Sequence, residues 1–417
     1  MEQRKIALLI LNEYEIEKTY LNLALKNGLL KLKEGRNFVT ELVYGVVRYR
    51  RFLDEKIGRY STVKLRKLSI PVKNILRIGF YQIYFMDTVP DFAIVDESVK
   101  LAEKFAYRSK SFVNAILRKG IERTEEEFPV CVKESFSDEI YQLLQTQYGE
   151  QTDTILHRLN EPIPLTLRYN HMRYTNVLQA KDKLLDAEIV GDVLIPQSTE
   201  NLLSLIKNGD FSVQGLPSQM AVQALSPQSG ERILDCCSAP GGKASYIGEL
   251  MQNQGELVAC ELHSHRCELV KKNLARCGIT IGTVLQGDAS AATFPQKFDR
   301  ILVDAPCSGL GVIGNKPDIK WRDFQFDHLL FVQQNILDNI SRFLKKDGIL
   351  VYATCTINQK ENEQQIYRFL KEHSGFSLDP FSVDHNGNTY GQDGMVQILP
   401  EGLSAGFFIA KMKKHTE

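Results

Sequence analysis

The chain has 417 residues, of which 43% are hydrophobic and 24% are charged, and its 51 Lys and Arg balance its 51 Asp and Glu. This length predicts two or three domains, and the composition is that of an ordinary soluble globular protein. No apolar run is long enough to span a bilayer and no signal peptide is recognisable, which excludes a membrane protein and predicts a cytoplasmic location.

The front of the chain is predicted to be helical and basic. Apolar residues recur at helical intervals through residues 1–128, while Lys and Arg occupy the opposite faces. Residues 1–130 hold 24 Lys and Arg against 17 Asp and Glu, an excess of +7. Such an excess favours an anionic partner such as nucleic acid, although a solvated helical surface would give the same balance.

Four stretches of this front region resemble the NusB family, a small helical RNA-binding fold. They are Glu41–Arg48, Ile75–Gln82, Val95–Lys100 and Phe112–Arg118. Gly45 and Gly79 are interpreted as sites of close helix packing. Arg48, Arg50 and Arg51 form the most compact basic cluster, and two interpretations stay open: phosphate contacts, or an exposed helix face.

Residues 129–215 follow a polar stretch, Glu125–Pro129, and are predicted to form a small α+β linker domain. Its predicted elements are a helix near 138–147, an alternating strand at 164–170, a helical stretch at 176–187 and an apolar stretch at 189–195. The strand is expected to bury Leu165 and Leu167 and to turn Arg168 toward RNA or solvent.

Residues 216–417 alternate strands and helices, which predicts a mostly parallel sheet with helices on both faces. Strands are predicted near 231–236, 256–261, 281–286, 298–304, 348–353 and 406–412, and helices near 242–252, 264–276, 324–344 and 359–372. The polar, Gly-rich loop 378–404 has no predicted place.

Carboxylates follow successive strands of this sheet, where parallel α/β sheets bind ligands. Asp235 precedes a Gly-rich turn. The turn matches neither the phosphate-loop motif GxxxxGK[ST] nor the dinucleotide-binding motif GxGxxG. A helix begins directly after it, and the N-terminus of a helix favours negative charge. At the next strand ends, Glu261 is a candidate for ribose hydroxyls and Asp288 for an adenine amino group. Any one such acid is more typical of a turn or cap, but four in succession, ending at Asp304, indicate a site.

Two thiols complete this edge. Cys307 follows the strand that ends at Asp304, and Cys355 follows the next strand. If both strands lie in one parallel sheet, both thiols point over the same edge, which suggests covalent catalysis. The eight cysteines of the chain include no Cys-x-x-Cys pair and no zinc-type spacing. We therefore expect reduced thiols and no metal.

Together these pieces resemble class I S-adenosylmethionine-dependent methyltransferases, and specifically RNA (cytosine-C5)-methyltransferases. The motifs are Asp235–Lys243, Asp304–Gly309, Lys316–Trp321 and Tyr352–Thr356. With the NusB-like front, the chain resembles the RsmB (Sun/Fmu) type, which acts on small-subunit (16S) ribosomal RNA.

The resemblance implies a multidomain protein: an all-α NusB-like domain at 1–128, the α+β linker domain at 129–215, and an α/β Rossmann-like methyltransferase domain at 216–417. It also implies S-adenosyl-L-methionine as cofactor, ribosomal RNA as partner, and no membrane partner; a monomer is expected. The cofactor contacts it implies are Cys237, Ser238, Ala239, Pro240, Gly241, Gly242, Lys243, Glu261, Asp288 and Asp304.

Cytosine C5 is a poor nucleophile until a thiolate adds to C6, and a base must later remove the C5 proton. Chemistry alone leaves open which thiol attacks. By resemblance, Cys355 is the nucleophile and Cys307 the release residue and base, Asp304 holds the N3 edge of the base, and Lys243 acts on the cofactor side. The alternatives are a transfer RNA methyltransferase, a non-catalytic ribosome-assembly factor, and two inert buried cysteines.

Three positions depart from the family pattern. Ser238 replaces an alanine, Gly215 replaces an acid in the upstream Val-Gln-Asp, and Asn315 replaces a basic residue or histidine. The change at Gly215 removes an acidic residue from that edge of the pocket. Trp321 is expected either to stack near RNA or to pack in the protein.

Overall fold

The structure is a computed structural model that describes residues 2–124, 127–385 and 388–416. It comprises two compact units: Met1–Asn160 with Asn315–Arg322, and Glu161–Gly314 with Asp323–Glu417. The predicted three-domain division differs from these units, because the predicted linker domain 129–215 crosses their boundary at residue 160, and it stays a prediction. Part of the predicted polar linker, residues 125 and 126, lies outside the described residues.

The first unit is helical, as predicted. Its α-helices are α1 (Glu2–Glu17), α2 (Leu21–Leu29), α3 (Arg36–Arg48), α4 (Arg50–Tyr60), α5 (Ile70–Phe85), α6 (Asp91–Phe105), α7 (Lys110–Gly120), α8 (Val130–Lys133), α9 (Asp138–Tyr148) and α10 (Thr152–Asn160). The predicted close packing at two glycines is confirmed. A Cβ atom at Gly45 would lie 2.0 Å from Cζ of Tyr81, and one at Gly79 would lie 2.5 Å from Cδ2 of Leu117. Side chains at these positions would push α5 away from its neighbours.

The segment Asn315–Arg322 belongs to the helical unit although it lies far along the chain. Nζ of the buried Lys320 donates to the carbonyls of Arg48 at 3.0 Å and Glu134 at 2.9 Å, and burial holds the pKa of Lys320 well below its ordinary value. Nε1 of Trp321 donates to the carbonyl of Val47 at 2.8 Å. The packing interpretation of Trp321 is therefore the one that the structure supports.

The side chains of the compact basic cluster contact other residues of the helical unit. The Arg50 guanidinium lies 4.0 Å from the ring centroid of Trp321, and Arg51 pairs with Asp138 at 2.9 Å. Arg48 is buried, and neither Arg50 nor Arg51 is exposed. The exposed-face interpretation of this cluster is therefore wrong.

The second unit contains two main sheets and the helices that cover them. Its helices are α11 (Val177–Lys181), α12 (Leu202–Asn208), α13 (Leu216–Leu225), α14 (Gly242–Leu250), α15 (Ser264–Cys277), α16 (Phe326–Ile340) and α17 (Glu363–Glu372). Its strands are β1 (Leu167–Tyr169), β2 (Ala187–Val190), β3 (Val193–Pro196), β4 (Phe211–Val213), β5 (Arg232–Cys236), β6 (Glu256–Glu261), β7 (Gly282–Gln286), β8 (Phe298–Asp304), β9 (Leu344–Thr354), β10 (Phe376–Leu378), β11 (Val383–His385), β12 (Asn388–Tyr390), β13 (Met395–Ile398) and β14 (Phe407–Lys414). Across the described residues, no helix is long and apolar enough to cross a bilayer.

The smaller sheet is antiparallel, with strand order β2-β3-β1-β4. The helix predicted at 176–187 is shorter than expected: α11 ends at Lys181, and β2 begins at Ala187. The apolar stretch 189–195 is divided between β2 and β3. Gly191, at a φ of 59°, makes the tight turn between them, a conformation that glycine adopts without strain.

The larger sheet has strand order β10-β14-β9-β8-β5-β6-β7, and β13 pairs with the outer side of β14. Strands β5 to β9 are parallel, and β14 is antiparallel to β9. The strand order therefore reverses between β5 and β8. This is the switch point at which open α/β sheets form their ligand crevice.

Alternate residues of each central strand enter different cores, as the period of a β-strand requires. Ile233 and Leu302 face the core formed with α13, α14 and α15, whereas Leu234, Ile301 and Val303 face the core formed with α16 and α17. The strands are buried on both faces, which explains their nearly continuous apolar sequences.

Candidate active site

The switch point brings together the ends of β5 and β8. Their register pairs Asp235 with Leu302 and Cys236 with Val303, so the Gly-rich turn and Asp304 emerge side by side. Nζ of Lys243, the second residue of α14, donates to Oδ2 of Asp304 at 2.7 Å. Burial alone would lower the pKa of Lys243, but the Asp304 carboxylate outweighs it and raises that pKa, which keeps Lys243 cationic.

The Gly-rich turn is shaped by unusual backbone angles. Cys237 has a φ of 57° and Gly241 a φ of 99°. A Cβ atom at Gly241 would also lie 3.1 Å from Cα of Val270, so a larger residue is excluded by both conformation and space. The turn is fixed at its start by the Ser238 N–H, which donates to the carbonyl of Cys260 at 3.0 Å.

The acid before the turn, Asp235, is fully buried. Its Oδ2 accepts a hydrogen bond from Oγ of Ser238 at 2.8 Å, while its Oδ1 has no partner among the described residues. Burial raises the pKa of Asp235 to about 7. The serine that departs from the family pattern therefore holds this acid, and one buried acceptor is left for a ligand.

The next two acids behave differently from each other. Glu261 is buried at the end of β6, where Oε2 accepts from the Ala239 N–H at 3.3 Å and Oε1 from the His263 N–H at 3.2 Å. Asp288 is exposed after β7, and its Oδ1 accepts from the N–H and Oγ of Ser290 at 2.9 and 2.7 Å. Glu261 thus borders the Gly-rich turn, whereas Asp288 caps the short turn that follows β7.

The two thiols lie against each other. Parallel pairing of β8 with β9 sets Asp304 beside Ala353, and the loops beyond these residues bring Sγ of Cys307 to 3.4 Å from Sγ of Cys355. The expectation that both thiols lie over one sheet edge is confirmed. The hydrogen bond with Cys355, together with burial, holds the pKa of Cys307 well above its ordinary value. Either sulfur can donate the hydrogen that lies between them.

The prediction for Arg168 is wrong, because this side chain is buried in the second unit. It donates to the carboxylate of Glu249 at 2.6 Å, to the Gly242 carbonyl at 2.9 Å, to Oγ of Ser245 at 3.0 Å, and to Gln214. The guanidinium fastens the small sheet to the beginning of α14. The burial expected for Leu165 is also wrong, since that residue is 42% exposed.

The alternation rule failed in this strand because β1 is central in its sheet and is covered on both faces. All three residues of β1 are buried. Alternation identifies strands with one solvated face and cannot orient a strand that has none. No pairwise signal in the sequence connects Arg168 with Glu249.

Replacing Arg168 with methionine is expected to lower the free energy of unfolding by about 3–5 kcal/mol, because Glu249 would remain charged and buried without its partner. Denaturant unfolding would measure the loss. The double variant Arg168→Met/Glu249→Leu should recover most of it, since it removes both charges. A single variant that lost less than about 1 kcal/mol would show that this buried pair does not hold the two elements together.

The doubly wound sheet, the Gly-rich turn at its switch point and the strand-end acids define a class I methyltransferase fold. The crystal structure of PH0851 has a TM-score of 0.82 with this chain at 23% identity, covering 99% of both chains. The structure of NSun6 from Pyrococcus horikoshii with SFG has a TM-score of 0.60 at 21% identity, covering 68% of this chain and 99% of that one. At these identities the likeness concerns the fold.

The relatives in sequence are more specific. The family model described as 16S rRNA methyltransferase RsmB/F matches residues 222–413, and the NusB family model matches residues 1–122. The probable ribosomal RNA small subunit methyltransferase B of Bacillus subtilis (strain 168) is 34% identical over 446 residues, covering 99% of this chain and 98% of that one. Its counterpart in Synechocystis sp. is 33% identical, covering 99% of both. The chain belongs to the RsmB/F methyltransferase family, with a NusB domain in front.

Proposed function

We propose that this protein transfers a methyl group from S-adenosyl-L-methionine to C5 of a cytosine in small-subunit (16S) ribosomal RNA, through a covalent bond between Cys355 and C6. The observation that carries the proposal is the pair of thiols, Cys307 and Cys355, with 3.4 Å between their sulfurs. One thiol keeps its proton while the other accepts a hydrogen bond, which is the division of roles that a two-thiol reaction needs. The names of the relatives support ribosomal RNA as the substrate.

The residues at the switch point fit S-adenosylmethionine. Asp235 Oδ1 and Gln214 Nε2 are buried polar atoms that lack a partner in the described chain, and both lie beside the Gly-rich turn. A buried acceptor and a buried donor at the beginning of α14 suit an ammonium group and a carboxylate. We assign Glu261 to the ribose hydroxyls and Asp288 to the adenine. When bound, the cofactor supplies an electrophilic methyl group on a sulfonium sulfur.

Cys355 begins the reaction on RNA. Only a thiolate attacks C6, and a hydrogen bond donated by Cys307, whose sulfur lies 3.4 Å away, would stabilise negative charge on the Cys355 sulfur. Formation of the S–C6 bond moves electron density to C5, which becomes nucleophilic. The target base must be unpaired or flipped out of a helix to reach both sulfurs.

Asp304 and Lys243 serve the pyrimidine and the cofactor side. Lys243 holds one oxygen of Asp304 at 2.7 Å, which fixes the carboxylate in position. The other oxygen can accept a hydrogen bond from the amino and N3 edge of the cytosine, stabilising the protonated ring. A charge-assisted bond of this kind is among the stronger polar contacts in proteins.

Cys307 completes the reaction. Once Cys355 is bonded to C6, the hydrogen bond that raises the pKa of Cys307 is gone, and Cys307 passes its proton to water. The Cys307 thiolate then removes the C5 proton. The electrons of the C–H bond form the C5–C6 double bond, the S–C6 bond breaks, and Cys355 leaves as a thiolate.

The test of this proposal is direct. The purified protein and S-adenosylmethionine would be incubated with ribosomal RNA from cells that lack this gene, and 5-methylcytosine would be measured by nucleoside mass spectrometry and located by bisulfite sequencing. One methylated cytosine in 16S RNA supports the proposal. Methylation of transfer RNA alone would favour the transfer RNA alternative. Binding of RNA without cofactor binding or methylation would favour a ribosome-assembly factor.

The basic front of the chain supplies a reason for RNA affinity. Phosphate contacts orient a nucleic acid without reading its sequence, and residues 1–130 carry an excess of +7. We propose that the helical unit serves this role, and that the protein works as a monomer in the cytoplasm. These last two points stay predictions.

A further inference from the structure

Glu361 is a buried carboxylate that the proposed reaction does not use. It is fully shielded from solvent. Its oxygens accept hydrogen bonds from the N–H of Ser308 at 2.8 Å, from Oγ of Ser308 at 2.6 Å, from Nε2 of Gln333 at 3.0 Å and from Nδ2 of Asn358 at 3.0 Å. Ser308 belongs to the loop that carries Cys307, Asn358 to the loop that carries Cys355, and Gln333 to α16. We call the two loops the thiol loops. One side chain therefore links three separate parts of the chain.

The thiol loops need such a link because the sheet does not reach them. The pairing of β8 with β9 ends at Asp304 and Ala353. Cys307 lies three residues beyond this register, and Cys355 two residues beyond it. Beyond this register a backbone hydrogen bond joins the two loops, from the Gly311 N–H to the Cys355 carbonyl at 3.1 Å, and side chains supply further links.

The residues next to the thiols are the ones that Glu361 ties together. Ser308 follows Cys307 and Thr356 follows Cys355, and their hydroxyl oxygens lie 2.8 Å apart. Ser308 donates its hydroxyl proton to Glu361, so Thr356 is the donor between the two hydroxyls. The carboxylate thus sets the direction of the hydrogen bond that joins the loops.

Two further contacts make this arrangement rigid. Nε2 of Gln333 donates both to Glu361 and to the carbonyl of Pro306 at 2.9 Å, which holds the Cys307 loop against α16. The Tyr352 hydroxyl donates to the carbonyl of Glu361 at 2.8 Å, which holds the Cys355 loop against β9. The Cys307 loop is therefore held to α16, and the Cys355 loop is held to β9.

No Lys or Arg pairs with Glu361 anywhere in the described part of the chain. A buried carboxylate without a cation is costly, and an apolar side chain would serve packing alone at lower cost. Its negative charge also raises the pKa of Cys307, after the larger effects of the Cys355 hydrogen bond and of burial. Both its contacts and its charge act on the thiol pair.

We propose that Glu361 is the positioning residue of the thiol pair, holding the Cys307 and Cys355 loops so that both sulfurs meet one pyrimidine ring. This inference rests on the proposed two-thiol reaction. The contacts to Ser308, Asn358 and Gln333 carry it, because each of them ends on the same carboxylate.

The test compares Glu361→Gln with Glu363→Gln. The first substitution replaces one carboxylate oxygen by an NH₂ group, which would face N–H or O–H donors instead of accepting from them. The size of the side chain stays the same. Glu363 is a matched control: it lies two residues later, is partly buried, and its Oε2 has no hydrogen-bond partner among the described residues. Ser308→Ala is the third variant, because it removes one hydroxyl and keeps the carboxylate.

Glu361→Gln is expected to lower kcat by about 100-fold or more, since small errors in the position of a reacting group have effects of this size. The dissociation constant for S-adenosylmethionine should stay within about twofold of wild type, because the Gly-rich turn is untouched. Glu363→Gln should match wild type, and Ser308→Ala should fall between them. Circular dichroism would establish that each variant is folded at the assay temperature.

A second readout needs no RNA. Phenylarsine oxide binds two thiols at once, forming two As–S bonds and releasing water, so its retention reports whether Cys307 and Cys355 remain adjacent. Wild type should retain it tightly, and Cys307→Ala should not. Glu361→Gln should bind it at least about 10-fold more weakly, while Glu363→Gln should bind it normally.

Wild-type turnover and normal arsenical binding in folded Glu361→Gln would overturn the inference, as would an equal loss in Glu363→Gln. If Glu361→Gln does not fold, Ser308→Ala decides: weakened arsenical binding supports the inference, and unchanged binding with unchanged kcat overturns it. If wild type methylates no RNA, the proposed function fails, but the arsenical measurement still tests whether Glu361 sets the thiol spacing.

Discussion

Replacing Cys355 with alanine is expected to abolish RNA methylation, with a loss on the order of 10⁴-fold or more in kcat. Without the thiolate, C6 has no nucleophile and C5 stays unreactive. The loss should leave cofactor binding intact, because the Gly-rich turn lies on β5 and α14 rather than on the Cys355 loop. Single-turnover methylation with labelled S-adenosylmethionine would measure the rate, and titration calorimetry the binding.

The control for this prediction is Cys131→Ala. Cys131 is a buried cysteine of the helical unit, and its replacement should not change kcat. Normal turnover by Cys355→Ala would mean that the assignment of the nucleophile is wrong. If Cys355→Ala keeps normal turnover while Cys307→Ala loses methylation and forms no adduct, the roles of the two thiols are the reverse of those proposed.

Cys307→Ala is expected to trap a covalent protein–RNA adduct while turnover stops. Attack by Cys355 and methyl transfer need no second thiol, but release requires a base at the C5 proton. The variant would be expressed in cells and isolated under denaturing conditions, and any attached RNA would be sequenced. The position of the adduct names the target cytosine.

The double variant Cys307→Ala/Cys355→Ala is the control, and it should hold no RNA after denaturation. An adduct in Cys307→Ala that also appears in the double variant would place the covalent bond elsewhere. An active Cys307→Ala enzyme without an adduct would contradict the release role of Cys307.

The central strands of the methyltransferase sheet could be predicted closely from the sequence. The run predicted at 298–304 is β8 (Phe298–Asp304), and the one at 256–261 is β6 (Glu256–Glu261). They are easy to recognise because buried parallel strands are short apolar runs bounded by polar turns. The predicted strand-end residues Asp304, Lys243, Cys307 and Cys355 also meet in two contacting pairs.

Segments whose structure depends on side-chain bonds were harder to predict. The helix expected at 359–372 begins only at Glu363, because the side chains of Glu361 and Asn362 bond to the thiol loops, at Ser308 and Thr356, ahead of the first helical turn. The loop 378–404, for which no place was predicted, contains β13 (Met395–Ile398), which pairs with β14. Short edge strands of this kind carry little periodic signal.

The sequence by itself determined the helical front, the parallel sheet, the order of the strand-end acids and the presence of two thiols beyond neighbouring strands. These features are local, since apolar periodicity and turn residues within one stretch of chain specify them. The tertiary structure alone decided the burial of Arg168, the placement of Lys320 in the helical unit and the role of Glu361 between the thiol loops. Each of these depends on partners many residues away, and a buried charge is stable only where such distant donors and acceptors converge on it.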